Sequence, residues 1–135
     1  MLKDIPIRKV EDIAIAIVPP FQSSEEEELW QVHLINLKDQ PIRNVIVNSK
    51  GYGKRKREDV KTSTLRYYYE AIPARTSVVI ESIQTKLFDL VHEFFVSFSI
   101  NNYLYDKKYV FVKGSIESVN FTQIPIVERK GVMIK

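Results

Sequence analysis

Nine residues, His92–Ile100 (His-Glu-Phe-Phe-Val-Ser-Phe-Ser-Ile), constrain this chain more than any other stretch. Phe94, Val96, Phe98 and Ile100 occupy every second position, with Glu93, Phe95, Ser97 and Ser99 between them. A repeat of two lays the first set along one side of a pleated strand. Burying each of those side chains is worth about 1.5–3 kcal/mol before conformational entropy is subtracted. This face must therefore meet a second layer.

The same period recurs along the chain. Ile13, Ile15 and Ile17 alternate with Ala14 and Ala16, a strand with one bulky and one small face, until Pro19-Pro20 stops it. Glu28–Leu37 places Trp30, Val32 and Leu34 on one side, Lys38–Pro41 has turn chemistry, and Ile42–Ser49 follows, so residues 28–49 are expected as a hairpin. Thr62–Ile72 directs Leu65, Tyr67, Tyr69 and Ala71 one way and Arg66, Tyr68 and Glu70 the other; Thr76–Ile83 and Lys108–Lys113 are further strands. Leu2–Asp12 reads as extended, Phe21–Glu27 as an acidic connection, Lys50–Lys61 as a long mobile loop and Asn101–Lys107 as a polar turn region. Between Gln84 and Val91 the apolar spacing changes to that of a short helical turn.

These readings predict an all-β, seven-stranded antiparallel β-sandwich resembling immunoglobulin-like domains. It is a single domain over residues 1–135, with its core in 12–113, a helical turn near 84–91 and an extended C-terminal arm, holding at most a short strand, over 115–135. The rival is a five-stranded Greek-key barrel of the kind that binds oligonucleotides.

Much chemistry is excluded by what the chain lacks. It has no cysteine, which removes disulfides, zinc–thiolate sites, iron–sulfur clusters and thiol catalysis. His33 and His92, the only histidines, read as surface or strand-end residues and are too few for a three-ligand metal site. No nucleophile elbow is present, and Gly51-Tyr52-Gly53-Lys54 meets neither phosphate-loop spacing. Glu81, Glu93 and Glu117 fall on expected solvent faces. Asn120-Phe121-Thr122 fits a glycosylation pattern, but no secretion signal accompanies it. The longest apolar run, Ile13–Val18, is far below the roughly 20 residues that span a bilayer. No catalytic residue, metal ligand or cofactor is assigned, and a cytoplasmic protein without membrane association is expected.

One feature rises above this background. Lys54-Arg55-Lys56-Arg57 lies between Tyr52 and the strand carrying Arg66 and Tyr68. Cations bind phosphates and tyrosine faces stack on unpaired bases, so these seven residues are the candidate site for single-stranded RNA. The competing reading is a solvated hairpin loop whose charge is offset by Glu58, Asp59 and Glu25–Glu28. The first expectation for function is instead a non-enzymatic interaction module that binds a protein partner or a second copy of itself. Sandwich edges offer unpaired backbone groups, and Leu29, Ile35 and Phe95 are apolar residues on second faces.

Several stretches together resemble a family of small uncharacterised bacterial proteins of similar length. They are Asp4-Ile5-Pro6 with Lys9-Val10-Glu11, Lys50-Gly51-Tyr52, Lys61–Arg66, His92–Val96 and Arg129-Lys130-Gly131-Val132. Some members are labelled as the alpha subunit of phenylalanyl-tRNA synthetase. A class II synthetase core needs a large mixed sheet with helices and ATP-binding arginine motifs. A chain of 135 residues with this strand pattern cannot house one, so the resemblance implies no synthetase activity.

Overall fold

The computed structural model describes residues 8–20 and 28–135. The expected acidic connection at Phe21–Glu27, and most of the extended segment at Leu2–Asp12, lie outside the described residues. Ten strands lie within them: β1 (Ile13–Val18), β2 (Leu29–Asn36), β3 (Ile42–Arg55), β4 (Glu58–Lys61), β5 (Leu65–Ile72), β6 (Thr76–Gln84), β7 (Val91–Ile100), β8 (Tyr103–Phe111), β9 (Thr122–Ile124) and β10 (Arg129–Ile134). They form two antiparallel sheets. The first has the order β6–β2–β1–β10–β9. The second runs β4–β3–β7–β8, with β5 continuing beside the first half of β3 on the edge that β4 occupies beside its end.

The His92–Ile100 stretch behaves as its period requires. Phe94, Val96, Phe98 and Ile100 are buried, in one cluster with Ile13, Ile15, Ile17, Val32 and Leu34 of the opposite sheet and Val45 and Val47 of their own. Phe94 meets Phe111 edge-on, with ring centres 5.9 Å apart. Tyr109 is fully buried among them, and its hydroxyl donates to the Ile13 carbonyl at 2.7 Å, tying the second sheet to the first. Burial alone pushes that phenol well above its ordinary pKa.

The all-β two-sheet architecture matches the expectation; the count of seven strands does not. Two of the three additional strands come from the C-terminal segment. Instead of an arm, β10 pairs with β1 through Ile15–Ile134, Ala16–Met133 and Ile17–Val132, and β9 pairs outside it. The small face of β1 explains the docking. Ala14, Ala16 and Val18 are as buried as the isoleucines, in a second cluster with Ile35, Ile124, Leu37, Ile126, Val127 and Met133. The core therefore extends beyond residue 113, taking in Ile116, Ile124 and Val132.

The third is β4. Lys50–Lys61 is not a mobile loop: β3 runs straight through the glycines to Arg55 and turns at Lys56-Arg57 into β4. Both turn residues have positive φ, 49° and 68°, the requirement of a two-residue hairpin turn that matches strand twist. Asn101-Asn102 does the same between β7 and β8, with φ of 49° and 66°, so the polar region expected over 101–107 shrinks to two residues. The helical turn expected near 84–91 is a single 3₁₀ turn at Thr85–Leu87.

Residues 28–49 are not a hairpin. β2 already has β1 on one edge and β6 on the other, leaving no edge for β3, and the chain crosses to the second sheet. Asn36, fully buried, anchors that crossing. Its amide donates to the carbonyls of Gln40 (3.0 Å), Ile72 (3.3 Å) and Pro73 (3.0 Å), and its oxygen accepts from the Lys38 N–H (3.0 Å). One side chain thus joins the β2–β3 crossing to the β5–β6 turn.

Candidate functional site

Strand register decides which of the seven predicted site residues meet. On the outer face of the second sheet, Arg66, Asn48, Phe95 and Lys108 form one row across β5, β3, β7 and β8. Tyr68, Ile46, Ser97 and Asp106 form the next. Lys50 stands beside Glu93, and Tyr52 beside Lys61 and Val91. Alternation puts Lys54 on the same side as Tyr52. Tyr52, Lys54, Arg66 and Tyr68 therefore share one face.

Arg55 does not join them. It lies on the opposite side of the hairpin, where Nε and Nη2 donate to the two oxygens of Asp89 at 2.7 and 2.6 Å and Nη2 also reaches the Lys86 carbonyl at 3.0 Å. That forked pair holds the Asp89 carboxyl below its usual range and raises the guanidinium. It clamps the β3–β4 hairpin to the 3₁₀ connection. Lys56 and Arg57 sit at the hairpin tip.

The shared face is of mixed sign. Glu93 stands in its middle, 3.4 Å from Lys50 Nζ and 3.8 Å from Lys108 Nζ, and accepts from the Tyr52 hydroxyl at 3.3 Å. Arg66 donates to Asn48 at 3.0 Å and the Tyr68 hydroxyl donates to Asn44 at 3.2 Å. Tyr68 is nevertheless 59% exposed. With Asp106 in the Tyr68 row and Asp59 opposite Lys54, the cations are largely matched by anions.

A second arrangement, missed by the sequence reading, lies between the two edge strands β5 and β6. Glu81 was expected on a solvent face. A β-bulge overturns that: His33 pairs with Val79 but Val32 pairs with Glu81, so Ile80 is an extra residue and Glu81 shares the inner side with it. The Ser49 hydroxyl donates a short hydrogen bond to one Glu81 oxygen, and the Tyr67 hydroxyl reaches the other at 3.3 Å. Beside them is a cleft of about 240 Å³ lined by Ser49, Gly51, Thr62, Ser63, Glu81 and His92, among others. His92 is buried, and its Nε2–H donates to the Leu87 carbonyl at 2.7 Å, which leaves Nδ1 as an acceptor in the neutral ring. Both histidines are buried, contrary to the surface reading; burial, then the charge of Arg129, lowers the pKa of His33.

Burial, then the nearby Glu81 charge, pushes the Tyr67 phenol up to about 12, and Tyr69 is raised for the same two reasons. An unfolded tyrosine titrates near 10, so above about pH 10 the unfolded chain releases protons that the folded chain keeps. Stability is full below that pH and falls as pH climbs toward 12. The Tyr67 and Tyr69 part of the phenolate absorbance should therefore rise late and together with unfolding. In Glu81→Gln the Tyr67 titration should move down toward 10; an unchanged midpoint would show that the carboxylate does not act on it.

Among the described residues no group of three or more His, Asp or Glu side chains is placed to hold a metal ion. No described helix is long and apolar enough to cross a membrane. No family model, curated protein or solved structure matches the chain.

Proposed function

We infer that this chain is a non-enzymatic β-sandwich interaction module that binds a polypeptide strand along the outer edge of β5. The observation that carries the reading is that edge itself. β5 is eight residues long, pairs only with β3 among the described residues, and contains neither proline nor a bulge. Its alternate N–H and C=O groups point away from β3 with no strand to receive them. The other edges are blunted: β6 is bulged at Ile80, β9 has three residues, and β8 is met by Arg8, whose N–H donates to the Leu104 carbonyl and whose guanidinium covers the Tyr103 ring. Proteins that need no partner protect their edges in these ways. Leu65 and Tyr68, both exposed, flank the open edge on its two faces and supply apolar area.

Connectivity supports an immunoglobulin-like assignment. The order β6–β2–β1 facing β4/β5–β3–β7–β8 corresponds to strands E-B-A facing C′-C-F-G, with β9 and β10 added beside the first strand. The charge pattern of the outer face favours a protein over RNA. A polyanion needs unmatched cations, and here Glu93 engages two lysines while Arg55 is held on the other side.

Leu65→Lys tests the reading, because a charge on the inner side of an edge strand prevents strand addition without touching the core. Wild-type protein immobilised in lysate of its native host should retain a polypeptide that Leu65→Lys does not, with light scattering separating self-association from partner binding. A strict monomer whose retained set equals that of the variant overturns it. So does tight binding of labelled single-stranded RNA that weakens with salt and is lost when Lys54 and Arg66 are neutralised.

A further inference from the structure

We propose that the cleft between β5 and β6 receives the cationic end of a lysine or arginine side chain, carried by the polypeptide that pairs with β5. The inference rests on the strand-addition reading for its source of ligand and on the cleft's own chemistry for its class. Every fixed polar group there accepts or is amphoteric. The Glu81 carboxylate has about four acceptor positions and uses two, for Ser49 and Tyr67. The hydroxyls of Ser49, Thr62, Ser63 and Ser82 line the same space. His92 spends its only neutral-ring N–H on Leu87. No lysine or arginine lines the cleft, and among the described residues no cation pairs with Glu81. A site so rich in acceptors, lined by a carboxyl group and by no lysine or arginine, suits a ligand made of donors, and ammonium and guanidinium groups have no acceptor at all.

Two backbone features keep the space open. The bulge at Ile80 aims Glu81 inward. Gly51, opposite His92, contributes no side chain: a Cβ there would lie 3.4 Å from His92 Nδ1 and 3.2 Å from the Thr62 methyl. The location fits a side chain that arrives with an added strand. Thr62, Ser63 and Leu65 lead into β5, so alternate side chains of a strand laid along it would point toward β6 and Glu81. A second copy that pairs through its own β5 does not satisfy the site. If its own β5 formed the added strand, the inward residues would be Leu65, Tyr67 and Tyr69, none of them cationic. The occupant is a different polypeptide.

The test uses the intact protein and N-acetyl-L-arginine amide, with the lysine and norleucine amides as comparisons, followed by amide cross-peaks in solution. Arginine and lysine amides should shift resonances of Ser49, Thr62 and Glu81 with affinity of order millimolar, and the norleucine amide should not. Glu81→Gln keeps an acceptor for one of the two hydroxyls and turns its NH2 to the other, whose oxygen can accept, but removes the charge; it should weaken arginine amide about tenfold or more, as expected for losing a charge-assisted bond, while its melting curve stays near that of wild type. Equal shifts with norleucine, unchanged affinity in Glu81→Gln, or shifts centred on Glu93 each overturn the proposal. None of these results depends on whether Leu65→Lys loses a bound partner, so the two readings fail separately.

Discussion

Asn36→Leu should cost about 3–5 kcal/mol of folding stability, although leucine has the same number of side-chain heavy atoms as asparagine, branched at the same carbon, and the site is already fully buried. The substitution removes a side chain that makes four hydrogen bonds and leaves the carbonyls of Gln40, Ile72 and Pro73 and the N–H of Lys38 without their partner. A buried polar group deprived of its partner loses about 1–3 kcal/mol, and the part-buried ones recover some of that from water. The sum is therefore below four full penalties but well above the usual effect of a point change. Both affected segments, the β2–β3 crossing and the β5–β6 turn, pass between sheets, so loosening them separates the layers and does not fray an edge. Asn36→Asp should be at least as damaging at neutral pH, because it faces three carbonyls with an acceptor where a double donor stood. Urea unfolding checks both: the midpoint should fall with little change in slope. Asn48→Leu, on the outer face with Arg66, is the control and should stay within about 1 kcal/mol of wild type. An Asn36→Leu protein as stable as that control would mean the four bonds are not what holds the crossing.

Nothing in the sequence singles out Asn36, and the reason is general to this fold. Apolar alternation is a local signal, and wherever a strand kept its period the side facing the core was readable from it. Phe94 to Ile100 and Ile13 to Ile17 are the clear cases. What a strand pairs with is not local. Val45-Ile46-Val47 looks the same whether it lies beside β2 or across the core from it, so the expected hairpin over residues 28–49 became a crossing between sheets. The basic run hid a strand for a different reason. β3 outlasts the sandwich near Gly51, and beyond that point neither side of the hairpin is fully buried, so no hydrophobic period marks it. Ala14 and Ala16 did carry a signal, a face small enough for another segment to pack on, but the segment that covers it is more than a hundred residues away.

The candidate site shows the same division. Tyr52, Arg66 and Tyr68 were recognisable by residue type, and register alone decided that they share a face while Arg55 leaves it. Read as a simple strand, Thr76–Ile83 leaves Glu81 on a solvent face. The residue that breaks that pattern is Ile83, buried opposite Trp30, and a spacing of three between buried positions 80 and 83 is the sequence signature of a bulge. Bulges re-aim side chains, and here the re-aimed group is the carboxylate on which the cleft depends. A polar residue next to such a break merits inspection before it is assigned to solvent.

Gly131→Ala is the second change expected to have a large effect, and a different part of the molecule should feel it. Gly131 lies in β10, opposite Thr122 of β9 and against the end of β1. A Cβ built on it would stand 2.5 Å from the Ile17 carbonyl oxygen, 2.7 Å from a Val18 methyl and 3.2 Å from Val18 Cα. Two of the three obstacles are backbone atoms of a strand held on both edges, so they cannot rotate away as a flexible side chain would. β10 must move off β1 instead. Overpacking of this kind costs about 1–3 kcal/mol and sometimes more, and contacts this short against backbone place it at about 3 kcal/mol. The entropy that alanine removes from the unfolded chain, about 0.4–1 kcal/mol, is too small to offset it. Because β9 pairs only with β10 among the described residues, both strands should leave together, uncovering Ala14, Ala16 and Val18. Amide exchange should then show β9 and β10 opening far below the global free energy while β3, β7 and β8 keep their protection. Gly114→Ala supplies the contrast: its φ of +85° strains an alanine, but nothing lies within 4 Å of the added carbon. If Gly131→Ala cost no more than Gly114→Ala, or exchange rose evenly over both sheets, the pairing of β10 with β1 could not be what holds the Ile124–Val127 segment over the small face.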